Sequence, residues 1–284
     1  MGENADNEQN KLFGGGTSLL QIILVNFGIS LTAFVALWAI SVKIKNASIV
    51  DIFWGPACAL PAATTWLQTE SHSLRATLIT TLVLIWGLRL GLYLGIRNVG
   101  HGEDFRYVRM REKAGGDGPF VMRSLTHVFV LQCCISFFVS LPVQIGQFGF
   151  SEWLLFPEGE LGIIAYLGIT IFVIGLLFEA VGDHQLRQFK KNPENKGKLM
   201  DRGLWSWTRH PNYFGDAAVW TGLTLVALES QWGFLTILSP LLMIHFLYNL
   251  SGKALLERSM SRRYPDYEDY RRRVSGFLPR PPAR

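Results

Sequence analysis

The chain has 284 residues, 49% of them hydrophobic and only 17% charged, with 27 Lys and Arg against 22 Asp and Glu for a net charge of +5. Soluble domains average about 25% charged residues, so the composition excludes an ordinary soluble globular protein. The basic excess sits in loops beside apolar runs, which points to a membrane face or a phosphate-bearing ligand and away from nucleic acid.

The opening residues, MGENADNEQNKLFGGG, are polar and Gly-rich. They lack the basic start of a signal peptide, and residues 1–16 read as a disordered tail. Apolar runs of about 20 residues suit helices crossing a ~30 Å hydrocarbon core. They fall at 17–41, 48–68, 76–98, 122–145, 161–183, 212–230 and 232–251. The second, carrying Asp51, Pro56 and Pro61, is the least regular. The last two are joined by a few residues around Glu229 and Gln231, a tight helical hairpin.

Loop charge orients these runs. The first loop holds Lys43 and Lys45, the third Arg97, Arg106, Arg109, Arg111, Lys113 and Arg123, and the fifth Arg187, Lys190, Lys191, Lys196, Lys198, Arg202 and Arg209. The second loop, from Glu70 to Arg75, is nearly neutral, and the fourth, with Glu152, Glu158 and Glu160, has no Lys or Arg. Basic and non-basic loops alternate. The positive-inside rule then gives an all-α membrane protein of about seven transmembrane helices, N-terminus outside and C-terminus cytoplasmic. One domain is expected over 17–279, with 280–284 a tail. The GGDG run at 115–118 reads as a breaker and not a phosphate loop, because no strand precedes it. The end of the chain, YPDYEDYRRRVSGFLPRPP, reads as a short amphipathic helix closed by Pro279 and lying on the membrane surface.

Cys58, Cys133 and Cys134 lie in apolar runs without zinc-ligand spacing and read as small core residues. His72, His101, His127 and His245 are scattered, with no HExxH pattern, so no metal is expected. Other polar residues stand out. Glu179, Asp183 and Arg187 follow one another at four-residue spacing, on one helical face at the end of the fifth run. Acids inside an apolar run suggest ligand contact, Asp183 serving as acceptor for an amide or amine; the plainer reading is a helix end in the headgroup layer. The run LMDRGLWSWTRHPNYFGDAAVW gathers Arg209, His210, Asn212, Tyr213 and Asp216 within eight positions. Pro211 suits a first helical turn, and helix N-terminal NH groups there favour an anion. A capped helix with an interfacial aromatic belt accounts for Trp205, Trp207 and Tyr213, but not for Arg, His, Asn and Asp together. Arg89, Tyr93 and Arg97 share a face of the third run, where Arg89 could snorkel or reach a phosphate. Asp51, in IVDIFWGPAC, is either idle at a helix start or a desolvated carboxyl kept protonated to donate to a carbonyl.

At RHPNYFGD, residues 209–216, the sequence resembles the membrane-bound steroid 5-alpha-reductase superfamily. The bacterial branch with SIVDIFWG near the N-terminus and LLERSMSRRYPDYEDYRRRVSGFLP near the C-terminus is the best match, and a similar RHPNY-x-GD run occurs in sterol C14 and C7 reductases. The resemblance runs from about Ser48 to Pro279. It implies seven helices, NADPH, and reduction of a carbon–carbon double bond conjugated to a ketone in a lipophilic, steroid-like enone. It further implies that Asp183, Asn212 and Asp216 contact the nicotinamide nucleotide, with Arg187, Lys190, Lys198, Lys253 and Glu257 at matching cofactor-side positions; the reading of the residues themselves adds Arg209, His210, Tyr213, Arg89 and Arg97 as cofactor candidates. Asp216 replaces a glutamate of the animal enzymes, Glu179 an asparagine, Lys253 a histidine and Glu257 a tyrosine. Gly197 and Lys198 stand where those enzymes have Tyr-Arg. Asp51 matches the glutamate that holds the substrate ketone. The catalytic tyrosine has no direct counterpart: Trp86 aligns, Tyr93 is about two turns away, and Trp54 is the other donor near Asp51.

Two other readings compete. Membrane methyltransferases for isoprenylcysteine or phospholipids share an RHP-x-Y-x-G run and use S-adenosylmethionine, but lack the VDIFWG segment. A transporter or lipid-binding scaffold would carry midplane charges or repeated halves, and the sequence shows no repeat.

Overall fold

The computed structural model describes residues 18–69, 73–149, 161–250 and 253–281. The N-terminal tail, His72, the acids of the fourth loop and the side chain of Lys253 lie outside the described residues. The described chain is helical; its β structure is an isolated parallel bridge between Thr208 and Ser275. It groups into two compact units, residues 1–161 with 227–236, and residues 162–226 with 237–284.

In the first unit, helix α1 (Leu19–Ile44) opens with a capping box: Ser18 Oγ accepts from the Gln21 amide, and Gln21 Oε1 accepts from the Ser18 amide. Helix α2 (Ile49–Gln68) runs straight through Pro56 and Pro61. The Pro61 carbonyl accepts from Thr64, Thr65 and the Asn26 amide, and Asn26 also bonds Thr65 Oγ1 at 2.7 Å and Gln144 Oε1 at 3.0 Å. This fully buried asparagine draws α1, α2 and the 141–145 helix into one polar layer, so the least regular apolar run is a single helix. Helix α3 (Leu74–Asn98) crosses α2 with backbones touching. A Cβ on Gly87 would stand 2.6 Å from the Gly55 carbonyl, and one on Gly91 3.0 Å from the Pro56 ring.

Two short helices follow, α4 (Phe105–Ala114) and α5 (Asp117–Ser124). The GGDG breaker supplies their junction: Gly115 and Gly116 adopt φ of 91° and 109°. From Ser124 the helix widens into a π segment, Leu125–Val130, and continues as α6 (Leu131–Val139) and α7 (Leu141–Ile145). Arg75 is 2% exposed and donates to the carbonyls of Gly146, Phe148, Gly149 and Glu229, tying chain ends together within the unit.

The second unit is built on α8 (Ile163–Lys191) and α9 (Pro211–Ala227), followed by α10 (Leu238–His245), a second π segment (Phe246–Leu250), α11 (Lys253–Arg263) and α12 (Tyr267–Arg273). The terminal helix ends at Arg273, not at Pro279, because Val274 turns extended and its carbonyl is taken by Arg209.

Among the described residues four helical stretches are long and apolar enough to cross a membrane: Leu19–Ile44, Leu74–Asn98, Asp117–Val139 and Ile163–Lys191. Their outer faces carry exposed Leu24, Ile40, Leu88, Leu92, Leu167 and Leu177. Large apolar surface of that kind needs lipid around it.

Candidate functional site

In the second unit α8 and α9 run antiparallel with almost no gap. Gly168 faces Gly222, Gly175 faces Gly215, and Gly182 faces Pro211; a Cβ on Gly175 would lie 2.6 Å from the Gly215 carbonyl. Seven-residue spacing keeps these small residues on one seam, and the missing side chains let the backbones meet. That seam determines what reaches the start of α9. Glu179 lies against Gly215 and is 3% exposed; Asp183, one turn on, is 4% exposed. Asn212 donates its amide to Asp183 Oδ1 at 3.3 Å, while its own Oδ1 accepts from the Tyr213 amide at 3.1 Å. Asp216, half-buried, is one turn further along α9. Beyond Asp183, Arg187, Lys190, Lys191, Lys196 and Lys198 are all exposed. The unit thus juxtaposes buried acceptors with a solvated cationic stretch.

Arg209, His210 and Glu257, expected at the cofactor, form hydrogen bonds with one another and with the backbone. Arg209 gives Nε to Glu257 Oε1 at 3.0 Å and Nη1 to the carbonyls of Arg271 and Val274 at 3.0 and 2.7 Å. His210 Nε2 meets the same Glu257 oxygen at 3.2 Å and stacks on Tyr213 with ring centroids 5.3 Å apart. The Arg209 amide donates to Ser275, and Thr208 Oγ1 to the Phe277 carbonyl. An arginine this buried needs a counter-charge, and Glu257 supplies it from within the chain. Burial alone would raise the Glu257 carboxyl, but hydrogen bonds from His210 and Arg209 hold it at about 2. These residues clasp the C-terminal segment to the start of α9. Tyr270 and Trp205 extend the clasp, Tyr270 donating to the Trp205 carbonyl and Trp205 Nε1 to that of Gly182. Burial drives the Tyr270 hydroxyl upward.

In the first unit Asp51 sits in the first turn of α2. Its Oδ2 accepts from Arg106 at 2.6 Å and its Oδ1 from the Tyr107 hydroxyl at 2.7 Å. Both oxygens are engaged within the chain, one by the Arg106 guanidinium and one by the Tyr107 hydroxyl. Tyr107, 5% exposed, also accepts from Gln132 Nε2 at 3.3 Å. Burial, then the Asp51 charge and hydrogen bond, push its hydroxyl strongly upward. Trp86, which aligns with the catalytic tyrosine, is fully buried in α3; Trp54 is half-buried, and Arg97 lies over the Tyr93 ring at 5.7 Å and bonds Asn98. Arg89 is half-buried in the same helix. Tyr107 and Gln132 are the residues missed from sequence. The signal that points to Tyr107 is the stripe Tyr107, Met110, Arg111, Ala114, whose spacing is that of a helix face.

The family described as "Protein of unknown function (DUF1295)" matches residues 37–274, and the chain belongs to it. An uncharacterized protein of Schizosaccharomyces pombe is 26% identical over 275 residues, 86% of this chain and 76% of that one. A probable O-methyltransferase of Ustilaginoidea virens is 45% identical over 60 residues, 21% of each chain. The bovine 3-oxo-5-alpha-steroid 4-dehydrogenase 1 is 34% identical over 68 residues, 24% of this chain and 26% of the relative, so this match spans about a quarter of that enzyme. No solved structure matches.

Proposed function

We propose that this DUF1295 member is an integral membrane reductase that uses NADPH to saturate a carbon–carbon double bond conjugated to a ketone, on a lipophilic, steroid-like substrate. The observation that carries the reading is the buried Asp183, bonded by the half-buried Asn212 at the packed seam of α8 and α9, next to exposed Arg187, Lys190 and Lys198. Acids held inside an apolar helix pair are costly without a function. The short likeness to the steroid dehydrogenase adds the substrate class.

The residues fit a dinucleotide in part. Asp183, Asn212 and Asp216 offer the acceptors and the amide that a carboxamide and ribose hydroxyls require. Arg187, Lys190 and Lys198, exposed beyond Asp183, are the cations proposed for its phosphates. Arg209, His210 and Glu257 contribute by holding the backbone at the start of α9, since their polar atoms serve one another. Bound NADPH would supply the hydride. The chain's own part is to exclude water with apolar helices and to manage the ketone oxygen, where negative charge develops. In this reading Asp51 orients Tyr107, and the Tyr107 hydroxyl, released from Asp51, donates its proton to that oxygen. Gln132 keeps the phenol oxygen placed. Seven spans, with the C-terminus and the basic loops in the cytosol, would let a soluble cofactor approach from the side of Lys190 and Lys198.

The rival is a membrane methyltransferase, favoured by the 60-residue likeness to an O-methyltransferase. Thermal melting of purified protein with NADPH and with S-adenosylmethionine separates the two, and mass spectrometry of products from a small enone panel identifies the reaction. A product two hydrogens heavier supports the reductase. Stabilisation by S-adenosylmethionine alone overturns it.

A further inference from the structure

We propose that α4 and the adjoining turn of α5 form a docking surface for anionic phospholipid headgroups of the leaflet they face. Helix α4 has two stripes. Tyr107, Met110, Arg111 and Ala114 face inward: Tyr107 bonds Asp51, Met110 and Ala114 pack on a core that includes Phe34, Val50 and Phe120, and Arg111 grips Glu103 and Asp117. The Ala47 amide donates to Glu103 and the Asp104 amide to Ser48 Oγ, so the helix is latched to the turn between α1 and α2. Its outward stripe combines Phe105, 62% exposed, with Val108, Arg109 and Glu112, and Met122 is 64% exposed on the neighbouring α5. Met122 belongs to a stretch, Asp117–Val139, long and apolar enough to cross the bilayer. The patch therefore sits where acyl chains meet headgroups.

Charge decides the occupant. Arg106 is engaged by Asp51 and Asp104, Arg111 by Glu103 and Asp117, and Lys45 by Asp117. Arg109, Lys113 and Arg123 carry no carboxylate partner among the described residues. Arg109 and Lys113 are one turn apart on α4, and the Arg109 guanidinium lies 5.3 Å above the Phe105 ring. A cation directly over an exposed ring matches a lipid molecule's own order, phosphate above acyl chain. Three uncommitted cations beside three exposed apolar side chains fit an anionic lipid better than a soluble anion, which would leave Phe105 and Met122 in water.

The test uses full-length protein purified in detergent and does not involve turnover, so it stands apart from the proposed chemistry. Melting is followed with added phosphatidylglycerol, phosphatidylcholine or glycerol 3-phosphate, and retained lipid is counted by native mass spectrometry. Phosphatidylglycerol is expected to raise Tm by roughly 5 °C more than phosphatidylcholine does. The triple variant Arg109→Gln, Lys113→Gln, Arg123→Gln is expected to lose at least half of that difference, as is Phe105→Ser with Met122→Ser. A control removing equal charge, Lys191→Gln, Lys196→Gln, Arg272→Gln, is expected to keep it. Equal shifts with both lipids, an unchanged response in the triple variant, an equal loss in the control, or full reproduction by glycerol 3-phosphate would each overturn the proposal.

Discussion

Glu257→Gln removes the negative charge at the centre of the C-terminal clasp. In the folded protein the carboxyl is drawn from its ordinary 4.5 to about 2, which corresponds to roughly 3 kcal/mol of folding free energy when the whole difference is expressed. A second route gives a similar size. Breaking a buried ion pair costs about 3–5 kcal/mol. The low end applies here, because the Glu257 side chain keeps 18% exposure and Arg209 retains two carbonyl acceptors. For a chain of this length that is a fall in Tm of roughly 6–12 °C at neutral pH. The sign with pH follows from the depressed value. The stabilisation is fully present above about 4.5 and is lost as pH falls toward 2. Tryptophan-fluorescence melts of wild type and variant, from pH 7 to pH 3 in one detergent, should show a gap that is constant down to about 4.5 and then narrows. A gap that stays constant to pH 3, or none at pH 7, refutes the reasoning.

Gly175→Val places a side chain against the Gly215 carbonyl and the Val219 amide, 2.6 and 2.7 Å from the new Cβ. It should cost about 3 kcal/mol or more by overpacking, whereas Gly28→Ala, with nothing within 4 Å, should melt like wild type. Asp183→Asn should weaken NADPH binding by roughly tenfold, about 1.4 kcal/mol, read by fluorescence titration; unchanged affinity would remove Asp183 from the cofactor site. Tyr107→Phe should lower kcat about 100-fold while leaving the Kd for NADPH alone, and Asp51→Asn should lose most turnover with the same binding. Full turnover in either variant would take that residue out of the chemistry.

Helix positions were legible because they depend on runs of apolar residues, which the sequence prints directly. Even α2, with two prolines, falls where its run predicted, and the GGDG breaker marks the α4–α5 junction. Which polar residues meet was less legible. Asp183 and Asn212 were read separately, each four residues from another acid, and their pairing depends on Gly175 facing Gly215 across two helices. The Arg209–Glu257 contact joins residues 48 positions apart, and no local pattern displays it. The Asp51 partner is equally remote: Arg106, in α4, stands 55 positions later. The end of α12 was misplaced at Pro279, since the signal that stops it is a side chain from residue 209.

The widened turn at Leu125–Val130 holds one residue more than an α-helix of the same rise needs. Gln132 lies two residues beyond it, so the insertion sets the azimuth at which its amide approaches the phenol of Tyr107. Excising a single residue there would shorten the helix by only about 1.5 Å, yet swing everything downstream by about 100°. Relatives with one residue fewer between Ser124 and Leu131 would therefore have to find that contact on another side chain.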